Sequence, residues 1–292
     1  MRLLAAALFL LTASAWGNPA AWHVSGEGGE LWLLGSIHYL REQDYPLPPL
    51  IEELYQRADT LVMELDLDDL DVLTVQQTFM EAGLLPASST LRAVLDSEVY
   101  GLTESRAKDL GLPPQLLERL EPWLVALTLM DLGMSRLGYE ASQGLEQYLL
   151  RRSLADEKEI LGLESLGDQI SIFDTLSWVD QEALLLQTLT DLEISAAEMT
   201  KLLDAWRDGD LDQLATELSA DFEKFPELQT ALVSARNKRW AAKLEELLHG
   251  SGHYLVVVGA LHLVGKNSVI ELLSARGLRV TVIRDDLPTD PT

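Results

Sequence analysis

Cysteine is absent from the 292 residues. No disulfide can staple the fold, no thiol can serve as a nucleophile, and no thiolate can hold a metal. Histidine is scarce, at five residues, so any pattern in its placement carries weight. Positive charge is short as well: 22 Lys and Arg face 47 Asp and Glu, for a formal net charge of -25. Such a field repels nucleic acid and anionic membrane surfaces and attracts cations, which excludes nucleic acid as a partner. Beyond the N-terminus there is no long apolar run. "WLVALTLMDLGM" is interrupted by Asp131, and a bilayer core of ~30 Å needs about 20 apolar residues in a helix. Hydrophobic residues nonetheless make up 47% of the chain, enough to bury a substantial core in one large domain or two.

The chain starts "MRLLAAALFLLTASAWGNPA": Arg2, an apolar stretch from Leu3 to about Leu11, then Ala13-Ser14-Ala15. A charged start, a short apolar run and a small-residue A-x-A site predict a secretory signal peptide over 1–15, with the mature chain, 16–292, starting near Trp16. The expected protein is exported, periplasmic or secreted, with no stable membrane insertion after cleavage. An uncleaved anchor is the alternative.

"AWHVSGEGGELWLLGSIH" predicts two strands joined by a turn on Gly26, Gly28 and Gly29, which would supply positive φ, with the first strand at a sheet edge. "LPPLIEELYQRA" places Leu50, Ile51, Leu54, Tyr55 and Ala58 on one helical face behind two prolines, and "TLVMELDL" is a buried strand. Strand, helix, strand makes a βαβ unit. The C-terminal segment repeats the plan: strand "YLVVVGALH", helix "NSVIELLSARG" capped by Asn267 or Ser268 and ended before Gly277, strand "LRVTVIRDD". Residues between are mostly helical in pattern, except "EILGLES", a short strand delivering Glu164 at its end. The expected fold class is α/β: a mostly parallel sheet core built from both chain ends, about 21–68 and 251–287, with a long helical insertion over about 70–250.

Both βαβ units place G-x-x-H after their first strand, at His38 and His262. In an open parallel sheet, ligands bind beyond the carboxyl ends of the strands. Glu64 ends a third strand, and a carboxylate within the apolar run "LVMEL" must be paired, protonated or metal-bound. Two imidazoles and a carboxylate match a catalytic metal site with open positions. Taken singly, each histidine is better explained by a structural hydrogen bond than by a metal, and Glu64 could pair with a buried arginine; the metal site rests on the three together. Ser36, two residues before His38, lacks a local third group to complete a nucleophilic triad. His23, His249 and His253 flank turns or strand starts and read as exposed or packing residues. Arg236 and Asn237, in "SARNKRW", sit among charged neighbours, where surface solvation is the default; the functional alternative has Arg236 holding a carboxylate or a developing negative charge.

"LLGSIHYL", "LVMELDLDD", "EILGLES", "ARNKRWAAKLEELL" and "VVVGALHLVGKNSVIELLSARGLRV" together resemble the TraB/GumN family, which includes the Tiki-type proteases. The resemblance runs in order along nearly the whole mature chain. It implies a metal-dependent hydrolase, peptidase-like, with catalytic roles for Glu64 and Arg236 and a metal held by His38, Glu64 and His262. Many relatives have an aspartate where "QGLEQYLL" has Glu146. The implied cofactor is one divalent transition metal, zinc, manganese or cobalt, and the implied partner a peptide or small-molecule substrate. A second expectation keeps the same crevice as a non-catalytic site for a peptide or cofactor.

Overall fold

The structure is a computed structural model that describes residues 17–26, 28–193, 196–219 and 225–284. The segment 1–15, predicted from the sequence to be a signal peptide, lies outside the described residues. Six strands, β1 (Ala21–Ser25), β2 (Glu30–Ser36), β3 (Thr60–Leu65), β4 (Glu159–Glu164), β5 (His253–Gly259) and β6 (Arg279–Val282), form one sheet in the order β4-β3-β5-β2-β1-β6. The four strands from β4 to β2 are parallel, and β1 joins antiparallel to both β2 and β6. The fold is thus mixed α/β with a mostly parallel sheet.

Leu31, Leu33 and Leu34 of β2 and Leu255, Val256 and Val257 of β5 are fully buried, as expected of parallel strands covered on both faces. Two details differ from the sequence reading. β1 is not an edge, because β6 pairs along its outer side; the chain returns over the sheet and covers the backbone groups that an edge would leave open. Gly26 and Gly29 do not take positive φ. They are needed for room: a Cβ on Gly26 would lie 2.8 Å from the Leu248 carbonyl oxygen, and one on Gly29 3.1 Å from that of Gly250.

Helix α1 (Pro49–Arg57) starts at a proline pair, Pro48 at its N-cap and Pro49 at its first position, and buries Leu50, Ile51, Leu54 and Tyr55. The middle of the chain supplies α2 (Val72–Ala82), α3 (Leu91–Val94), α4 (Ser97–Asp109), α5 (Pro122–Arg136) and α6 (Leu145–Ala155) before β4. After it come α7 (Leu166–Asp174), α8 (Trp178–Asp191), α9 (Ala196–Asp208), α10 (Leu211–Ser219) and α11 (Pro226–Gln229). A π-helical turn, Thr230–Ser234, leads into α12 (Ala235–Leu248), and α13 (Val269–Ala275) precedes β6. Ser268 caps α13 by accepting from the Glu271 N–H, and Gly277 follows its end at φ 84°.

Two separate apolar cores result. The larger lies about the sheet and takes in Trp206 of α9 and Trp240 of α12. The smaller is formed by helices and the turns between them, centred on Trp123 and Leu129 of α5 with Leu185 and Leu189 of α8. The carboxyl ends of the parallel strands face the gap between them.

Candidate active site

Parallel pairing of β2 with β5 sets Gly35 opposite Val258 and Ser36 opposite Gly259. The two G-x-x-H segments therefore leave the sheet side by side. β3 and β4, paired through Leu65 and Glu164, bring Glu64 and Glu164 to the same edge. An ideal Cβ on Gly259 would lie 3.3 Å from His38 Nε2, 3.4 Å from Glu64 Oε1 and 3.6 Å from His262 Cδ2. The three residues singled out as metal ligands thus surround one cradle, which exists because residue 259 is glycine.

Each imidazole is held through Nδ1. His38 Nδ1 is 2.7 Å from Glu146 Oε1, and the Ser36 hydroxyl donates to the same oxygen. Attraction to Glu146 raises the His38 pKa to about 9, although the side chain is 58% exposed and solvent screens part of that attraction. Without a bound cation, His38 is protonated at neutral pH. Ser36 has its hydroxyl committed to a carboxylate and is not a nucleophile activated by His38.

His262, 5% exposed, has Nδ1 2.6 Å from Asn237 Oδ1. The Asn237 amide nitrogen donates to the Asn267 carbonyl at 2.9 Å, so the amide oxygen faces the ring and His262 must donate from Nδ1. Its Nε2 lone pair receives Arg236 Nη1 at 3.1 Å. Burial, with the positive charges of Arg236 and His38, drives the His262 pKa down to about 3 against the pull of Glu64. The ring is neutral.

Arg236 joins the cluster. Its Nη2 donates to Glu64 Oε2 at 2.5 Å and to Glu164 Oε1 at 2.5 Å, Nε donates to Glu164 Oε2 at 3.2 Å, and Nη1 reaches the Leu232 carbonyl at 3.2 Å. Its guanidinium lies over Trp240, 4.5 Å from the ring centroid. Arg236 and Asn237 are buried at 7% and 0% exposure, which overturns surface solvation for both. The physical reason is that Arg236 lies on the buried face of α12 with Trp240, Leu244 and Leu248, at i, i+4 spacing, and Asn237 lies beside it. Burial opposes ionisation of Glu64, but His262, Arg236, His38 and the Gly259 N–H at 2.9 Å favour it and hold the carboxyl at about 2.

Among the described residues, no group of three His, Asp or Glu side chains is set up to hold a metal ion. Arg236 engages both Glu64 Oε2 and His262 Nε2. Glu164, Glu146 and Trp240 are the participants to which the sequence reading gave no role. Glu164 ends its strand as Glu64 does, and Trp240 lies one helical turn beyond Arg236. His23 and His253 instead flank Trp32 at ring distances of 6.0 and 6.2 Å, apart from the site.

A cavity of 270 Å³ opens on the cluster, with His38, Glu64 and Arg236 on one side and Phe79, Leu127, Gln169, Ile172, Phe173 and Leu232 on the other. The loop after β2, the end of β3 and the start of α12 supply the charged wall. α2, α5, α7 and the π-helical turn supply the mostly apolar one.

The TraB/PrgY/gumN family matches over residues 20–282. A protein of Escherichia coli strain K12, YbaP, described as uncharacterized, is 28% identical over 82% of this chain and 86% of its own. An uncharacterized protein of Treponema pallidum is 24% identical over 88% of this chain and 80% of its own. The Danio rerio protein named metalloprotease TIKI1 is 24% identical over 85% of this chain and 60% of its own. No solved structure matches.

Proposed function

The chain belongs to the TraB/PrgY/gumN family, and on that premise we propose that it is an exported metal-dependent hydrolase acting on peptide-like substrates. One observation carries the reading: both imidazoles are anchored at Nδ1, by Glu146 and Asn237, so that their opposite ring edges and Glu64 Oε1 surround the Gly259 cradle. Metal-ligating histidines are commonly oriented in this way by a carboxylate or carbonyl acceptor. The Danio rerio relative's name points to the same chemistry, and the segment 1–15 supports export.

The donors are two imidazoles and a carboxylate without sulfur, which suit zinc, manganese or cobalt. His38, Glu64 and His262 would hold the ion once Arg236 released Glu64 and His262. Bound there, such an ion supplies a Lewis acid and water acidified toward a pKa of ~7. Uptake displaces the His38 proton, so it strengthens with pH.

The chain's own groups do the rest. Glu146 and Asn237 fix the two rings. Glu164 keeps Arg236 in place through two bonds, leaving a buried guanidinium beside the reacting carbonyl to stabilise developing negative charge. Glu64, ionised and receiving the Gly259 N–H, accepts a proton when it is not a ligand.

A second reading rests on Arg236 holding Glu64 and His262: the same crevice binds a peptide or cofactor without turnover. The deciding experiment is elemental analysis of the purified chain beside the His38→Ala/His262→Ala variant, with circular dichroism on both, followed by a peptide-cleavage screen. About one transition metal per parent chain, none in the folded variant, and cleavage lost in Glu64→Gln support the hydrolase. A parent that takes up no metal after reloading with zinc, manganese or cobalt supports the binding module.

A further inference from the structure

The cavity beside the charged cluster has a composition at odds with the chain. In a protein of net charge -25, the wall facing His38, Glu64 and Arg236 is built from Phe79, Leu127, Ile172, Phe173 and Leu232, with Gln169 the one polar residue among them. These five come from four separate elements, so the patch is no accident of a single amphipathic helix. Nor is it loosely held. Phe173 stacks on Trp123 with centroids 5.6 Å apart and planes at 18°, and Phe79 meets the same indole at 6.1 Å and 56°. Trp123 is fully buried in the helical core. One immobile ring therefore fixes both phenylalanines, and the cavity exists before any ligand arrives.

We infer that this cavity is the subsite for one large apolar side chain, aromatic or branched aliphatic, of the substrate residue whose carbonyl meets the charged cluster. At 270 Å³ it falls just below the usual range for whole small-molecule ligands, about 300–1,000 Å³, and suits a single side chain. A charged side chain seated against the five apolar residues would lose its hydration with only the Gln169 amide beside it, because His38, Glu64 and Arg236 are engaged by the substrate carbonyl. The orientation of the carbonyl rests on the hydrolase reading; the apolar selectivity does not.

The test uses the full chain labelled at its isoleucine and leucine methyl carbons, titrated with N-acetyl-phenylalaninamide, N-acetyl-leucinamide, N-acetyl-glycinamide and N-acetyl-aspartamide. The first two are expected to shift the Leu127, Ile172 and Leu232 methyls saturably. The glycine and aspartate compounds should bind at least about tenfold more weakly, the scale on which apolar pockets discriminate. Ile172, partly exposed, can change without emptying a core, so Ile172→Asp should abolish the preference and Ile172→Leu keep it. Equal binding of all four compounds, or shifts confined to methyls outside the cavity, overturns the subsite. Apolar-selective binding with no cleavage by metal-loaded protein leaves the subsite standing and defeats the hydrolase alone. Cleavage indifferent to the side chain does the reverse.

Discussion

Asn237 Oδ1 stands 2.6 Å from His262 Nδ1 and decides which nitrogen of that ring carries the proton. The lone pair on the other nitrogen is thereby turned toward Arg236 Nη1, 3.1 Å away. Replacing Asn237 by Ala frees the ring to rotate and to change tautomer. Metal affinity should fall about 10- to 100-fold, the usual effect of losing such an orienting partner. Zinc titration calorimetry checks this, and an unchanged affinity would remove Asn237 from the site.

Gly259→Ala is the most local probe of the cradle. Backbone angles of -48° and 134° at this residue are open to alanine, so the fold should survive. The added methyl would press on His38 Nε2 at 3.3 Å and Glu64 Oε1 at 3.4 Å. We expect a circular dichroism spectrum like the parent's together with loss of metal uptake and of hydrolysis.

Arg236→Met leaves Glu64 buried without its guanidinium partner, and Glu164 with only the distant Arg239 Nη2 at 3.9 Å. Breaking a buried pair in this way costs about 3–5 kcal/mol, readable as a lowered midpoint in urea. Because Arg236 and a metal ion compete for Glu64 Oε2 and His262 Nε2, zinc should restore part of that stability, and the variant should bind it at least as tightly as the parent. Hydrolysis should nonetheless be lost, since the positive charge is gone.

Glu146→Gln removes the charge that raises the His38 pKa to about 9. Followed by NMR, the His38 titration midpoint should fall toward the ordinary histidine value of about 6.5. The sign follows from the pairing: the folded pKa lies above the unfolded one, so the stabilisation is complete below about pH 6.5 and vanishes as pH rises through 9. A midpoint that stays near 9 in the variant would locate the cause elsewhere.

Asp44 ties the turn after His38 to α9. Its carboxylate, 3% exposed, receives Arg41 Nε at 3.0 Å and Nη2 at 2.9 Å, the Arg41 N–H at 2.8 Å and Arg207 Nη2 at 2.8 Å. Burial pushes its pKa up, but these bonds outweigh it and hold the group below the usual carboxylate range. A depressed folded pKa stabilises above about pH 4 and is lost as pH falls through the folded value. Asp44→Asn should cost about 3 kcal/mol at pH 7, and the gap between variant and parent in urea unfolding should close on acidification.

The strand ends and their chemistry were legible because the signals are local. An apolar run stopped by glycine and then histidine marks a parallel strand and its exit, and Glu64 within "LVMEL" announces a partner whatever that partner is. Arg236 was hidden by its composition, since Lys238 and Arg239 beside it are exposed. The spacing Val233, Arg236, Trp240, Leu244, Leu248 is nonetheless one buried helical stripe, and an arginine on that stripe must meet carboxylates. The pairing of Glu146 with His38 was beyond reach, because it depends on Gly144 lying so close to the His38 carbonyl that no Cβ would fit. The position of β1 inside the sheet likewise depends on where β6 returns, which no local pattern encodes.

β5 lies between β2 and β3, so the middle of the sheet is among the last parts of the chain to be made. While residues 253–259 are still within the ribosome or a translocation channel, β1–β2 and β3–β4 have no strand joining them, and His38 and Glu64 have no reason to approach. The site is timed by synthesis: no earlier nascent length can assemble it. Such late, long-range closure is slow in folding and leaves unpaired strand edges exposed in the interim.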